Sequence, residues 1–315
     1  AELINLAEPL NLRAAELQAY VEQVSQLRLR PELYNHLVAS LNAGKHLILI
    51  GPHGSAKTTL ARAVCEFASG KRLPGVAAAP PACHDYRLAT ATADWTTFDT
   101  IGGYMPDQDQ TLQFRPGLFL EAIRNAHWLI VDEINRAEID KAIGPLFTVL
   151  SGQGVDLPYR VQRQPVRILP PVERRPDGNP PPNWWIPSGV KDGDFSYVIH
   201  PNWRIIGTMN VYDKSSLFQL SFAFMRRFAF IEVDLPDDQD YTQLLIDWLE
   251  KEYPALGAAL HQAIMPLFQR LLWQVTAPVE YQALFPSNPP TSNPLMLHRA
   301  IGPAIARDML AYLAP

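Results

Sequence analysis

Residues 51–58 read Gly51-Pro52-His53-Gly54-Ser55-Ala56-Lys57-Thr58, and they lie between an aliphatic run, Leu47 to Ile50, and a helical pattern that opens at Thr59. This order predicts a turn between a buried strand and a helix, which is the setting of a phosphate-binding loop. Small residues let backbone N–H groups converge on an anion, and the helix N-terminus adds unsatisfied donors. Lys57 supplies a positive charge, and Thr58 offers a hydroxyl to Mg²⁺. The alternative is an apolar strand that merely ends in a glycine-rich turn.

One position departs from the usual pattern of such loops. Ala56 stands where a second glycine is expected. A methyl group is penalised in the left-handed backbone region that glycine visits freely, so the alanine predicts an ordinary negative φ here.

A second informative stretch is His127-Trp128-Leu129-Ile130-Val131-Asp132-Glu133, an apolar strand that ends in two carboxylates. Open α/β sheets bind their ligands at the carboxyl edge of the strands, where this pair would lie. Asp132 is predicted to hold Mg²⁺ directly or through water, and Glu133 to polarise the attacking water. The plainer alternative is an acidic pair that begins a helix, where the helix dipole favours negative charge.

Polar and basic residues follow the later elements. Residues 203–210 predict a buried strand that ends in Asn210, which can hold a water or a γ-phosphate oxygen without adding negative charge. A helix predicted at residues 217–225 is followed by Arg226 and Arg227. These arginines either interact with the dipole at the helix C-terminus or reach a phosphate on a neighbouring subunit and stabilise transition-state charge.

The remaining chain divides into predicted elements and one boundary. In order these are two amphipathic helices within residues 12–42, a strand at 86–92, a loop or short hairpin at 95–116, helices at 118–125 and 139–150, a long irregular region at 155–201, and helices from residue 241 onward. Residues 235–238, Leu-Pro-Asp-Asp, mark the boundary. We therefore expect an N-terminal helical segment (1–45), a nucleotide-binding core (46–235) and a small helical domain (236–315).

The irregular region carries more arginines than acidic residues. They are Arg160, Arg163, Arg167, Arg174 and Arg175. They favour either a contact surface for nucleic acid or an acidic partner, or a solvated hairpin whose arginines have no specific role.

Composition bounds the class of protein. With 47% hydrophobic and 19% charged residues, the chain has an ordinary globular composition, and its net charge of −5 argues against a dedicated non-specific DNA binder. Two cysteines, Cys65 and Cys83, are too few for a disulfide scaffold, which favours a reducing compartment. No membrane-length apolar run or signal-peptide pattern is present, so a cytoplasmic location without membrane association is expected.

Five separated segments together resemble an AAA+ ATPase of the MoxR and McrB-like (dynein-related) lineage. They are residues 51–58 as Walker A, 128–137 (WLIVDEINRA) as Walker B, 205–210 (IIGTMN) as sensor 1, 225–228 (MRRF) as the arginine-finger region, and 301–303 opening a lid helix. The Ala-Lys-Thr form of Walker A and the Asp-Glu-Ile-Asn-Arg string are typical of MoxR-like members, so Ala56 supports the resemblance.

The resemblance implies an α/β fold in which a P-loop αβα core with a five-stranded parallel sheet precedes a small α-helical lid. It implies a ring, most simply a hexamer, that binds nucleotide between subunits. Residues 95–116 correspond to the helix-2 insert and residues 155–201 to the hairpin before sensor 1, both of which commonly face the pore. Asn135 and Arg136 match family residues near the subunit interface.

The resemblance also implies site residues. Nucleotide contacts fall on Gly51, Pro52, His53, Gly54, Ser55, Ala56, Lys57, Thr58, Thr59, Asp132 and Arg307, and Mg²⁺ falls on Thr58 and Asp132. The catalytic set is Glu133, Asn210, Arg226 and Arg227. Two arginines stand where McrB-like proteins tend to have three, which leaves the finger open between Arg226 and Arg227. Arg299 competes with Arg307 as sensor 2.

Two functions are compatible with these parts. The first is a MoxR-like motor that hydrolyses ATP to remodel or activate a partner protein, such as one with a von Willebrand factor A domain. The second is a McrB-like motor, which uses GTP and works with a nuclease in a nucleic-acid-directed defence system. A nucleotide-gated scaffold without appreciable turnover is a non-enzymatic third possibility.

Overall fold

The computed structural model describes residues 9–25, 27–52, 54–76, 81–108, 110–171, 196–210, 221–233 and 238–256. The predicted lid helix at 301–303, residues 174 and 175, and the first part of the helix predicted at 217–225 lie outside these ranges. No helix in the described ranges is long and apolar enough to cross a membrane.

The described elements alternate between helices and strands along the chain. They are α1 (Ala14–Ser25), α2 (Pro31–Asn42), β1 (His46–Gly51), α3 (Lys57–Ala68), β2 (Asp85–Thr90), α4 (Thr97–Thr100), β3 (Gly102–Pro106), β4 (Leu112–Pro116), α5 (Leu118–Arg124), β5 (His127–Asp132), α6 (Ile139–Ala142), α7 (Gly144–Leu150), β6 (Val155–Val161), β7 (Gln164–Leu169), β8 (Ser196–Val198), β9 (Ile205–Asn210), α8 (Phe222–Met225), β10 (Phe228–Glu232) and α9 (Asp238–Glu252). Short 3₁₀ turns cover Ile134–Arg136 and Pro254–Leu256.

Five of these strands form one parallel sheet in the order β10-β1-β9-β5-β2. The central strands are buried along almost their whole length, as continuous aliphatic runs require. The register places Gly51 beside Asn210 and Thr90 beside Asp132, so the ends of these strands meet at one edge. The prediction of a five-stranded parallel sheet is confirmed.

Helices cover both faces of the sheet. Leu47 and Leu49 of β1 pack with α1, α2 and α3, whereas Ile48 between them packs on the opposite side with α5, α7 and α8. This alternation follows from the two-residue period of a strand. The predicted split of the N-terminal helices is also confirmed, because Pro31 begins α2 after an extended Arg30.

The helix predicted at residues 139–150 is two helices, and the single-helix prediction is wrong. The chain leaves helical geometry at Ile143, between α6 and α7. Pro145 explains the break, because it lacks an N–H and its ring would clash with the carbonyl four residues earlier in a continuous helix.

The region predicted as irregular at residues 155–201 contains β6 and β7, an antiparallel hairpin to which β8 adds in parallel. Pro158 and Pro165 hid this hairpin, because proline argues against a regular strand. Pro158 lies where the ladder is interrupted, between Asp156 and Arg160. The hairpin predicted within residues 95–116 is confirmed as β3 and β4.

Candidate nucleotide-binding site

The loop between β1 and α3 is tightly closed. A Cβ added to Gly51 would lie 2.5 Å from the carbonyl oxygen of Val233 and 2.9 Å from Oγ of Ser55. Only glycine therefore allows β1 to end so close to the chain that follows β10. The loop is fixed at the carboxyl edge of the central strand, directly before the N-terminus of α3.

Ala56 adopts a left-handed conformation, with φ 63° and ψ 23°, so the expected negative φ is wrong. Its carbonyl already accepts the first helical hydrogen bond, from the N–H of Leu60 at 2.8 Å. The residue must turn the chain out of the loop and into α3 in a single step. A non-glycine residue in this region costs about 1–2 kcal/mol, which the surrounding fold offsets.

Lys57 reaches back over the loop that precedes it. Its Nζ donates to the carbonyls of Gly51 (3.0 Å) and Pro52 (2.6 Å) and lies 3.4 Å from Oγ of Ser55. Burial lowers the pKa of Lys57 to about 8, and the negative charges of Asp132 and Glu133 act in the opposite direction. The lysine is thus held at the mouth of the loop by acceptors that a phosphate can replace.

This pKa makes a prediction about nucleotide affinity. Only the protonated ammonium attracts phosphate, so the affinity for ADP should be constant below pH about 8 and fall above it, by about tenfold per pH unit, until the raised pKa of the complex is reached. Isothermal titration of ADP between about pH 7 and about pH 9.5 measures this. Lys57→Arg keeps its charge over the whole range, so any affinity that it retains should not change with pH. A wild-type affinity that does not vary over this range would contradict the assignment.

Asp132 collects hydroxyl groups from two other elements. Its Oδ1 accepts from Oγ1 of Thr58 on α3 and from Oγ1 of Thr208 on β9, each at 2.6 Å. Oγ1 of Thr208 also accepts from the backbone N–H of Glu133 at 2.9 Å. A carboxylate beside a hydroxyl at the mouth of a phosphate loop fits Mg²⁺, which takes one or two protein oxygens and completes its shell with phosphates and water.

Thr208 was not predicted as a site residue. It lies two positions before Asn210, and residues two apart on a strand share a face, so the sequence did contain the signal.

Glu133 also has a left-handed backbone, with φ 53° and ψ 45°, and its carboxylate is held by two side chains. Nε of Arg136 lies 2.8 Å from Oε2, and Nη2 of Arg136 lies 3.1 Å from Oε1. Asn210 donates from Nδ2 to Oε1 at 3.0 Å. A carboxylate offers about four acceptor positions, so these three N–H donors leave one for a water molecule. The sequence predicted that Glu133 and Asn210 share a site but did not predict the ion pair with Arg136.

Arg226 and Arg227 lie at the opposite edge of the sheet from the loop. The carbonyl of Arg226 accepts from Nζ of Lys45, and the carbonyl of Arg227 accepts from the N–H of His46, where β1 begins. The phosphate loop follows the other end of β1, about 16 Å away along a strand of this length. Neither arginine is therefore placed to reach the loop of its own subunit.

The two arginines differ in what their side chains contact. The guanidinium of Arg227 is hydrogen-bonded to Oγ of Ser151 and lies 5.9 Å from the ring centre of Phe147. The side chain of Arg226 is exposed, and among the described residues no hydrogen bond or ion pair holds its guanidinium. Arg227 is thus engaged within its own subunit, whereas Arg226 points away from it.

Three predicted site residues, His53, Arg299 and Arg307, lie outside the described residues. The structure places the other predicted residues in two groups. One group, at the carboxyl edge, is the loop with Lys57, Thr58, Asp132, Glu133 and Asn210. The other is the arginine pair at the far edge.

Comparison with known proteins agrees with this architecture. The model of the AAA domain family, dynein-related subfamily, matches residues 46–228. The type IV methyl-directed restriction enzyme EcoKMcrB subunit of Escherichia coli (strain K12) is 24% identical over 249 residues, which cover 76% of this chain and 46% of that protein. The chain thus spans about half the length of this curated relative. A crystal structure from Cytophaga hutchinsonii, of a protein assigned as an ATPase, is 16% identical with a TM-score of 0.44, covering 74% of this chain and 55% of that one.

The family model covers more than half of the chain, and its range begins with β1 and ends at the first residue of β10. It therefore contains the phosphate loop, the acidic pair and the arginine pair. The chain belongs to the dynein-related subfamily of AAA domains and is an AAA+ nucleoside triphosphatase of the MoxR and McrB-like lineage.

Proposed function

We propose that this protein is a Mg²⁺-dependent ATPase that hydrolyses ATP at the subunit interfaces of a homo-oligomeric ring, most simply a hexamer, to remodel or activate a partner protein. The observation that carries the proposal is the separation of the two residue groups. The loop and its carboxylates lie at one edge of the sheet, and the exposed Arg226 lies at the other. A head-to-tail ring brings the arginine of one subunit to the loop of the next.

Each residue at the carboxyl edge has a role in this reaction. The backbone of the loop, the N-terminus of α3 and Lys57 bind the β- and γ-phosphates. Thr58 and Asp132 would hold Mg²⁺, which neutralises charge on the phosphate oxygens when it is bound. Glu133 polarises the attacking water, and its contact with Asn210 sets the direction of the carboxylate. Arg226 of the neighbouring subunit stabilises the charge that develops in the transition state.

The division of labour along the chain follows from these roles. We propose that residues 46–235 form the catalytic core, that residues 1–45 pack on it as a helical segment, and that residues 236–315 form the lid that contributes sensor 2 through Arg307 or Arg299. The partner protein would contact the two hairpin inserts. A protein with a von Willebrand factor A domain fits the MoxR-like strings best.

A second candidate is supported by the named relative. The E. coli protein is a subunit of a methyl-directed restriction enzyme, which favours a motor for a nucleic-acid-directed defence system that works with a nuclease. The match covers 46% of that protein, so the comparison supports a shared motor more than a shared target.

Nucleotide turnover with and without DNA separates the two candidates. We expect steady-state hydrolysis of ATP in the presence of Mg²⁺, faster than hydrolysis of GTP and unchanged by double-stranded DNA. Lys57→Ala serves as the control for contaminating activity, because the phosphates lose their cation. Hydrolysis of GTP that DNA stimulates would replace the first proposal with the second. Tight binding of nucleotide without turnover would show a nucleotide-gated scaffold.

A further inference from the structure

The two inserts pack together through aromatic side chains. Oη of Tyr104, on β3, accepts from the backbone N–H of Arg160 at 2.7 Å and donates to the carbonyl of the same residue at 3.0 Å. The ring of Tyr159 lies edge-on to Tyr104 at 5.5 Å and 5.0 Å from the ring of Phe114. Residues 102–116 and 155–169 are therefore one structural unit, here termed the paired hairpins.

The outer end of the paired hairpins exposes large apolar side chains. Leu112 is 67% exposed, Met105 is 42% exposed and Tyr104 is 40% exposed. In the β3–β4 ladder, Leu112 lies opposite Pro106, and Tyr104 lies opposite Phe114, two positions further in. Leu112 therefore extends the aromatic row outward on the same face. Single exposed apolar residues are ordinary, but a contiguous group at the end of one hairpin marks a contact surface.

The same end of the unit carries unbalanced positive charge. Asp107 is taken by Arg115 at 3.6 Å, and Asp156 is taken by Arg167 at 2.9 Å. Arg160 and Arg163 are exposed, and within the described ranges no carboxylate lies at ion-pair distance from either of them. These two guanidiniums are available to an acidic ligand, on a chain whose net charge is −5.

The backbone fixes where these arginines lie. Gln162 and Arg163 form the two-residue connection from β6 to β7, and both have positive φ, 49° and 69°. Two-residue hairpin turns of this kind match the twist of the strands that they join. Nη1 of Arg160 donates to the carbonyl of Arg163 at 3.2 Å, which holds the two residues side by side.

We propose that the paired hairpins bind an acidic polypeptide segment with large apolar side chains. Its carboxylates would pair with Arg160 and Arg163, and its apolar side chains would pack on Leu112 and Met105. The inference rests on the proposed function, since it names the class of partner that the ring would act on. Two free guanidiniums beside an apolar edge fit such a segment better than a nucleic-acid backbone, whose binding needs many phosphate contacts.

The test uses the full chain and a fluorescein-labelled peptide of alternating Glu and Leu residues, with binding followed by fluorescence anisotropy. We expect the double variant Arg160→Glu/Arg163→Glu to weaken binding by about tenfold or more, and Leu112→Ser to weaken it by a few fold. Arg13→Glu and Val24→Ser are matched controls on α1, with 71% and 50% exposure, and should bind as the wild type does. Circular dichroism confirms that each variant is folded.

Three results would overturn the inference. One is no binding of the peptide by the wild type, and another is equal binding by the wild type and the hairpin variants. The third is tighter binding of a single-stranded DNA oligonucleotide that depends on Arg160 and Arg163. Basal ATP turnover, measured without peptide, should be the same in the hairpin variants and the wild type. A protein that turns over ATP but ignores the peptide would refute this inference alone, whereas absent turnover would refute the proposed function.

Discussion

Arg226→Ala is expected to lower kcat for ATP by about a thousandfold or more while it leaves the affinity for nucleotide within about twofold of wild type. The reason is the position of Arg226, which is exposed beside the start of β1 and lies far from the phosphate loop of its own subunit. It can stabilise transition-state charge only on the neighbouring subunit. Single-turnover hydrolysis, together with a separate binding titration, measures both quantities.

Arg227→Ala is the matched comparison. Its guanidinium contacts Ser151 and the ring of Phe147 within the subunit, so its loss should lower the melting temperature and affect kcat much less. The assignment fails if Arg227→Ala has normal stability and loses as much turnover as Arg226→Ala.

Mixed rings test whether the arginine acts between subunits. A subunit with Arg226→Ala keeps Glu133, and a subunit with Glu133→Gln keeps Arg226, so mixing the two inactive variants should restore activity. Random mixing leaves roughly a quarter of the interfaces with both groups. Mixtures that stay inactive although the subunits assemble would show that Arg226 acts within its own subunit.

The residues that sequence alone located share one property: each lies at the end of a strongly patterned element. Asp132 and Asn210 each end a buried strand, and parallel strands bring such ends to one edge. The sheet and the meeting of Glu133 with Asn210 could therefore be predicted. Strand patterning also carried the signal for Thr208, which went unused.

What sequence did not reveal depends on backbone geometry or on tertiary contacts. The left-handed conformations of Ala56 and Glu133 are imposed by the need to turn within one residue at the edge of the sheet, against the intrinsic preference of both residue types. The bidentate pair of Arg136 with Glu133 depends on that same turn. The separation of Arg226 from Arg227 depends on where Ser151 and Phe147 lie, which no local pattern encodes.

The hairpin at residues 155–169 shows a different limit. Local proline content predicted an irregular segment, but one proline lies at an interruption of the ladder. The strands are held instead by burial of Leu157, Val166 and Ile168 against the rest of the fold. Tertiary packing thus overrode the local preference.

Glu133→Gln is expected to bind ATP with near wild-type affinity and to hydrolyse it at least a hundredfold more slowly, because the amide cannot take a proton from the attacking water. The substitution changes little else, since the amide oxygen can still accept from Asn210 or Arg136. Rapid-quench measurement of product on the enzyme isolates the chemical step. Glu138→Gln is the control: Glu138 is five residues further along the chain, its side chain is 53% exposed, and it pairs only loosely with Lys141 at 3.7 Å, so its turnover should be unchanged. If Glu133→Gln hydrolysed ATP at the wild-type rate, another group would have to activate the water. The cluster of Glu133, Arg136 and Asn210 would then serve only to hold the edge of the sheet.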